Sequence, residues 1–200
     1  GRKITTTWWG NSWCENLERY ADFATRIERG KRYVRTGTVV DLKITTGKVS
    51  AKVQGSRKIP YSTEIRISPL DTQKCDSITD KVGGRISNIE SLMSGNIPED
   101  LKEVFTGQGG DGLFPTPREI SFSCSCPDWA LMCKHVAAVL YGVGVRFDSD
   151  PLMFFTLRGL DPQKFIGLTL ENKVESMIAN VASVTSRCLD DSDISSIFGI

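Results

Sequence analysis

Three of the six cysteines in this 200-residue chain and its only histidine lie within twelve positions, at Cys124, Cys126, Cys133 and His135. Thiolate and imidazole are the ligands that Zn²⁺ prefers, and structural zinc sites are closed by four of them. These residues supply three sulfurs and one nitrogen, which leaves no position for a catalytic zinc-bound water. The spacing therefore predicts a structural Zn²⁺ site.

Two other interpretations of these residues are a redox-active cysteine pair and a histidine that is simply buried by packing. A Cys-x-Cys pair alone would be weak evidence for a metal. Here it is followed by Cys-x-His after six intervening residues, in a chain with no other histidine. This combination favours zinc.

The residues around the cluster predict the elements that position it. Serine alternates with Phe122, Cys124 and Cys126, and this period of two puts the three side chains on one face of a strand. A proline-aspartate pair then turns the chain. Cys133 and His135 precede an apolar helical run, and a helix N-terminus stabilises a thiolate. We expect a strand, a turn and a helix start clamped by one ion.

The N-terminal part predicts one helix followed by a sheet. Ser12 and Glu15 have the spacing of a capping box at a helix start, and Gly30 stands where a C-cap is expected. Between them, apolar residues repeat at helical spacing: Trp13, Leu17, Tyr20, Ala21, Ala24 and Ile27. Alternating patterns over residues 33–68, with a turn at Thr46-Gly47, then predict a three-stranded antiparallel meander.

The rest of the chain predicts short helices. Residues 71–105 hold one amphipathic set and a helix start at Pro98, and residues 107–117 form a Gly- and Pro-rich loop. The amphipathic set is Ile86, Ile89, Leu92 and Met93. After about residue 150 a helical pattern precedes an acidic end: Leu170, Val174, Met177, Ile178, Val181, then Asp190, Asp191 and Asp193.

These elements predict a single compact unit of the α+β class, in which a small antiparallel meander sheet and surrounding helices embed the strand–turn–helix zinc finger. Within it we distinguish three regions. Residues 1–118 form the basic N-terminal helix, the sheet and a helical region, residues 119–148 form the zinc finger packed on it, and residues 149–200 form a C-terminal helical tail.

Charge is distributed unevenly along the chain. Residues 1–60 carry 13 Lys and Arg against 5 Asp and Glu, whereas residues 61–200 carry 12 against 19. Such asymmetry suggests a surface for a polyanion, although charges that are separate in sequence can also mix on folding. The candidate nucleic-acid-binding residues are Arg29, Lys31, Arg32, Arg35, Lys43, Lys48, Lys52, Arg57 and Lys58.

Other patterns are less specific. Trp8, Trp9 and Trp13 could stack on bases, but core packing of the first helix is the interpretation that we favour. Catalysis is not expected, because the only histidine is a zinc ligand, no carboxylate pair is singled out, and GQGGDG lacks the Lys and hydroxyl of a P-loop.

Composition and cysteine usage suggest a compartment. No apolar run approaches a membrane span, and the N-terminus has no apolar signal region. The other cysteines, Cys14, Cys75 and Cys188, are dispersed and odd in number, which disfavours a disulfide framework. We therefore expect a reducing, cytoplasmic location.

The ligand pattern resembles that of the SWIM-type zinc finger family. The segments Cys-Ser-Cys-Pro-Asp-Trp and Cys-Lys-His-Val-Ala-Ala-Val-Leu-Tyr are similar to bacterial and archaeal SWIM proteins, and the resemblance extends over about residues 8–160. The further segments that carry it are Trp8-Trp9-Gly10 with Trp13, residues 29–37, Gln54-Gly55-Ser56-Arg57, Leu113-Phe114-Pro115, and Asp150-Pro151 with Leu157-Arg158-Gly159. The resemblance implies a module for DNA binding or protein contact, often alongside a Swi/Snf-type ATPase.

Two functions follow as expectations. The first is a non-catalytic zinc-binding module that binds DNA or RNA phosphates through its basic half, as an accessory to a larger machine. The second is an adaptor whose finger and C-terminal helices dock a Swi/Snf-type ATPase or another large assembly. Nothing in the sequence separates RNA from DNA.

Overall fold

The computed structural model describes residues 3–82, 94, 97–107, 112–162, 174–175 and 177–178. In these ranges the strands β1 (Val39–Thr45), β2 (Lys48–Val53), β3 (Tyr61–Ile67) and β4 (Ile120–Cys124) form one antiparallel sheet in sequence order. The helices are α1 (Trp8–Glu18), α2 (Ala24–Arg35), α3 (Thr72–Val82), α4 (Lys102–Thr106), α5 (Lys134–Ser149) and α6 (Leu152–Leu157), with a 3₁₀ turn at Glu99–Leu101.

The predicted α+β class is confirmed, with the strand and helix start of the predicted finger at β4 and α5. The division at residues 118 and 148 stays a prediction. The amphipathic set at 86–93, Leu170, Val181 and the acidic end lie outside the described residues, as do residues 108–111 of the predicted loop.

Helix α5 is the centre of the core. Its sequence, KHVAAVLYGVGVRFDS, is apolar on nearly every side, and ten of its sixteen residues are buried. Such a helix needs partners all round, and α5 contacts α1, α2 and all four strands. Among the described helices, none combines the length and apolar character that a membrane crossing requires.

The sheet turns one face to the core and the other to solvent. Alternate residues of β2 and β3 are buried, as a half-buried strand requires: Val49, Ala51, Val53, Tyr61, Thr63, Ile65 and Ile67. The predicted meander is confirmed, including the tight turn between Thr45 and Lys48. In addition, β4 pairs with β3, so that Thr63 lies opposite Cys124 and Ile65 opposite Phe122.

The predicted N-terminal helix is wrong in its limits. Helix α1 begins earlier, at Trp8, where the Thr7 hydroxyl caps it by accepting from the Gly10 N–H at 3.1 Å. Ser12 is therefore a buried residue inside α1 and caps nothing. The chain leaves the helix after Glu18, and Asp22 in the break accepts from the distant Leu131 N–H at 2.8 Å. This tertiary contact overrides the helical periodicity.

Gly30 is not a C-cap, because it lies buried within α2 where that helix meets α5. A Cβ on Gly30 would lie 2.6 Å from the Cβ of Ala137, which is far too close. Glycine is needed here for close approach of two helices, a requirement that α2 alone does not reveal.

The tryptophans pack in the core, as the favoured interpretation predicts. Trp13 is fully buried and donates through Nε1 to the Leu140 carbonyl at 3.0 Å, and Trp9 donates likewise to Phe147. Trp13 also makes edge contacts with Phe147 and Phe154. Because the indole N–H groups are satisfied by α5, these rings anchor α1 to it.

Arg158 is a charged residue with no exposed side-chain surface. Its guanidinium donates to the Ser68 carbonyl at 2.7 Å and to Glu119 at 2.8 Å, and Lys74 lies 3.1 Å from the same carboxylate. Burial raises the pKa of Glu119, but hydrogen bonds from the Thr116 N–H and Arg158 outweigh it and lower the pKa to about 2. This ion cluster joins the segments after β3, before β4 and after α6.

We expect Arg158→Met to lower the free energy of unfolding by about 3–5 kcal/mol, because it leaves a half-buried carboxylate without its main partner. Arg66→Met is the matched control, since Arg66 is 72% exposed and pairs with Glu64 on the surface, where ion pairs contribute little. Urea titration measures both, and equal losses in the two variants would contradict this assignment.

The same cluster predicts a pH dependence. A carboxyl with a lowered folded-state pKa stabilises the fold above its unfolded pKa, and that contribution disappears as pH falls through the folded value. For Glu119 the window runs from 4.5 down to about 2. In urea titrations across this window, Glu119→Gln should remove part of the stability loss shown by the unchanged chain.

Candidate metal centre

The four predicted ligands come together at the junction of sheet and central helix. The ligand atoms of Cys124, Cys126, Cys133 and His135 all lie within 4.8 Å of one another. Cys133 and His135 are buried, and the other two are half-buried. The His135 Nδ1 faces the sulfurs, 3.8 Å from the Cys124 Sγ.

These distances and donor types fit a tetrahedral Zn²⁺. With Zn–S of about 2.3 Å and Zn–N of about 2.0–2.1 Å, tetrahedral ligand atoms lie about 3.5–3.8 Å apart. Small movements of the side chains therefore complete the site. Three thiolates and a neutral imidazole form a closed structural centre, which would stabilise the fold rather than activate water.

Each ligand is placed by the secondary structure that carries it. Cys124 ends β4 on the inner face, opposite the buried Thr63, whose hydroxyl lies 3.5 Å from the sulfur. Cys133 is the N-cap of α5, where its sulfur accepts from the Val136 N–H at 3.5 Å. His135 lies in the first turn of the same helix.

Hydrogen bonds around the sulfurs favour the thiolate form of Cys124 over that of the other two cysteines. Hydrogen bonding from Cys133 lowers the pKa of Cys124 to about 3, with His135 and Thr63 acting in the same direction. The hydrogen bond to Cys124 in turn raises the pKa of Cys133, and burial raises that of Cys126. The protein alone thus favours one thiolate, and a divalent cation compensates the charge of all three.

Aromatic rings hold the imidazole in place. Tyr61 stacks on His135 with ring centroids 4.4 Å apart, and Tyr33 of α2 contacts it edge-on at 5.5 Å. A Cβ on Gly55 would lie 2.6 Å from the Tyr61 ring and 3.5 Å from the His135 Nε2. Glycine at position 55 therefore lets the loop after β2 close over the histidine.

Comparison with known families gives the centre its identity. Residues 122–143 match the family model described as the SWIM zinc finger. This segment is a SWIM zinc finger. The match contains all four side chains of the cluster, so the predicted resemblance at these residues and the predicted zinc are both confirmed.

A longer similarity connects the chain to one curated relative. It is 37% identical over 164 residues to the uncharacterized protein Rv2102 of Mycobacterium tuberculosis (strain ATCC 25618 / H37Rv). The aligned part covers 82% of this chain and 58% of that relative. No solved structure gives a significant match.

Sequence reasoning finds the ligands of the SWIM finger but misses the residues that support them. Tyr61, Thr63 and Gly55 belong to the β2–β3 hairpin, more than 50 positions before the finger. They reach it through the pairing of β3 with β4. The Gly55-Ser56-Arg57 sequence is a turn signal, but nothing local indicates that this turn covers a metal ligand.

The structure divides the nine predicted nucleic-acid-binding residues among three places. Lys43, Lys48 and Lys52 project from the solvent-facing side of the sheet, and Arg57 and Lys58 are exposed in the loop of residues 54–60, here called the basic loop. Arg29, Lys31, Arg32 and Arg35 lie on α2, which packs on α5 away from that side of the sheet.

Lys31 differs from the other residues of this set. Its Nζ lies 3.1 Å from carboxylates of both Glu18 and Glu28, and its side chain is 22% exposed. It also lies 5.6 Å from the centre of the Tyr141 ring. These contacts connect α2 to α1 and α5, and they do not favour a role in phosphate binding.

We expect zinc removal by a strong chelator to unfold at least residues 120–145, because structural zinc contributes folding free energy directly. Cys126→Ser should lower the zinc content well below one ion per chain. Circular dichroism, hydrogen exchange and metal analysis measure these effects.

Cys75→Ser provides the control, since Cys75 is a half-buried cysteine of α3 outside the cluster and its replacement should leave zinc content unchanged. Unchanged circular dichroism and thermal stability after complete zinc removal would show that the centre does not stabilise this fold.

Proposed function

We propose that the chain is a non-catalytic zinc-binding module that binds the phosphate backbone of nucleic acid through one side of its sheet and the basic loop. The observation that supports this most directly is the solvent-facing side of the sheet, here called the outer sheet face. Most of its side chains are cations and hydroxyls, with two carboxylates and one exposed apolar residue, Val40. The polar ones are Lys43, Lys48, Lys52, Arg66, Thr45, Ser50, Ser62, Ser121, Ser123, Asp41 and Glu64.

The outer sheet face is arranged as rows across the strands. Lys48 lies opposite Arg66, which lies opposite Ser121, and Lys52 lies opposite Ser62. Lys43 and Arg66 are 69% and 72% exposed. Rows of cations and hydroxyl donors across the strands suit successive phosphates, which need only donors and positive charge in register.

Existing ion pairs on this face do not prevent phosphate binding. Lys48 and Arg66 both pair with Glu64, and hydrogen bonds from them lower its pKa. Lys43 pairs with Asp41 at 3.3 Å. Exposed pairs of this kind are weak, so that a phosphate can exchange for the carboxylate. Four cations against two carboxylates leave the face positive.

The SWIM finger links its metal centre to this surface. Strand β4 supplies the serines at one edge of the outer sheet face. Arg57 of the basic loop lies over the Tyr61 ring at 5.5 Å, and Tyr61 stacks on His135. Zinc binding would therefore fix the base of the basic loop. We propose a cytoplasmic location, since the centre needs reduced thiols.

The second candidate function is an adaptor that docks a Swi/Snf-type ATPase or another large assembly without contacting nucleic acid. It is favoured by an apolar helical stripe after α6, formed by Val174, Met177 and Ile178. These side chains are 55%, 58% and 63% exposed and follow the spacing of one helix face. Such a stripe would also let a nucleic-acid-binding module act as an accessory to a larger machine.

The test is fluorescence anisotropy of labelled single-stranded DNA, duplex DNA and structured RNA, titrated across salt with the zinc-loaded chain. We expect binding that weakens steeply with salt through counterion release. Arg57→Glu with Lys58→Glu should reduce the slope of log K against log salt by about 1.4–1.8, since each phosphate contact contributes about 0.7–0.9.

The control reverses two exposed lysines outside the proposed surface, Lys81 on α3 and Lys102 on α4, with the same change in net charge. It should leave affinity nearly unchanged. Equal effects of the two double variants would show that binding depends on the net charge of the chain and not on the basic loop, which would contradict the proposal. Absence of binding to every nucleic acid at low salt would reject it and favour the adaptor.

A further inference from the structure

The most exposed tryptophan of the described residues lies within the SWIM finger, between two of its ligands. Trp129 is 82% exposed, whereas Trp13 is fully buried and Trp9 is 7% exposed. Its ring contacts Phe23 edge-on, with centroids 5.5 Å apart, and Phe23 is itself 38% exposed. Leu131, two positions later, is 64% exposed. Exposed large apolar side chains that lie together, as these do, mark an interaction surface, whereas single ones do not.

Anchors on both sides hold the loop that carries Trp129, residues 125–132, here called the finger loop. Arg26 of α2 binds Asp128 through two contacts, Nε to Oδ2 at 2.8 Å and Nη2 to Oδ1 at 3.2 Å. The carboxylate of Asp22 accepts from the N–H groups of Leu131 and Met132 at 2.8 and 3.3 Å.

Side-chain burial completes this anchoring. Met132 is fully buried, and Ala130 is 8% exposed. The chain thus alternates between buried residues and exposed Trp129 and Leu131. The indole is presented from a fixed backbone, which keeps the entropic cost of binding a partner low.

Strand direction brings the finger loop and the basic loop to one end of the sheet. Strand β3 begins at Tyr61 and is antiparallel to β4, which ends at Cys124, so both loops leave the sheet at the same end. Ser62 and Ser125 exchange two hydrogen bonds there, at 2.9 and 3.0 Å. The finger loop that carries Trp129 therefore leaves the sheet at the same end as the basic loop with Arg57 and Lys58.

Charge at this end favours an anionic partner over a purely apolar one. Arg57 and Lys58 are exposed, and Lys134 is the first residue of α5, directly after the ligand Cys133. The carboxylates of Asp22 and Asp128 are both engaged by donors of the protein itself. Exposed aromatic rings and cations on one surface are the groups that bind unpaired nucleotides, because bases stack on the rings and phosphates pair with the cations.

We propose that this end of the sheet is a binding site for single-stranded nucleic acid, in which an unpaired base stacks on Trp129 while Arg57 and Lys58 bind flanking phosphates. This inference rests on the proposed nucleic-acid-binding function and narrows its substrate. Phe23 supports the indole from the side. A base within a duplex is covered by its neighbours and cannot reach the ring, so Trp129 adds affinity for single strands alone.

The test compares Trp129→Ala and Trp129→Phe with the unchanged chain, using labelled oligo-dT, oligo-U and a duplex of equal length. Trp129→Ala should weaken single-strand binding about 5- to 150-fold, the range measured for loss of one stacked base, with the salt slope unchanged. Duplex affinity should not change. Trp129→Phe should retain most single-strand binding, because it keeps a ring.

Leu131→Ala is the matched control, since it removes an exposed apolar side chain from the same loop without removing a ring. An oligomer with abasic sites provides a second control, since Trp129→Ala should not weaken its binding. Comparison of the affinities for oligo-dT and oligo-U shows whether the site prefers single-stranded DNA or single-stranded RNA. Zinc content and thermal unfolding verify that each variant is folded.

The possible outcomes separate the two proposals. A change below twofold in single-strand affinity for Trp129→Ala, with salt-sensitive binding retained, would overturn the stacking site and leave the phosphate surface in place. The exposed ring of Trp129 would then be assigned to contact with an apolar protein partner. An equal loss for single strands and duplex would also overturn it. If the unchanged chain bound no nucleic acid, both proposals would fail together.

Discussion

The meeting of β4 and α5 at one point is the constraint on which the rest of this structure depends. Cys124 ends the edge strand, Cys133 caps the central helix, and the two bring their sulfurs to a common cluster with Cys126 and His135. Helix α5 in turn packs against α1, α2 and the sheet. A cation at the cluster therefore joins the edge of the sheet to the middle of the core.

That constraint also decides what is exposed. The outward-facing serines of β4 extend the polar side of the sheet, and the loop between the ligands is tied to Asp22 and Arg26, so that Trp129 projects into solvent. In the same centre, His135 stacks on the ring of Tyr61, and the guanidinium of Arg57 lies over that ring. A structural metal with no open ligand position can in this way organise an exposed surface without taking part in chemistry.

The sequence predicts local features of this molecule well and long-range ones poorly. The ligands, the strand face of Cys124 and the meander follow from spacing and period, which are properties of a few neighbouring residues. The pairing of Thr63 with Cys124 joins residues 61 positions apart, and no local pattern encodes it. The end of α1 before Asp22 and the role of Gly30 are not predicted for the same reason. The first depends on a contact with the finger loop, and the second on a contact with α5.

X-ray absorption spectroscopy at the zinc edge, on chain purified without added metal and analysed for stoichiometry, tests the central claim most directly. We expect one zinc per chain, bound by three sulfurs at about 2.3 Å and one nitrogen at about 2.0–2.1 Å. A substoichiometric metal, or a first shell of oxygen and nitrogen, would contradict it. In that case the junction of β4 and α5 would have to be held by packing alone.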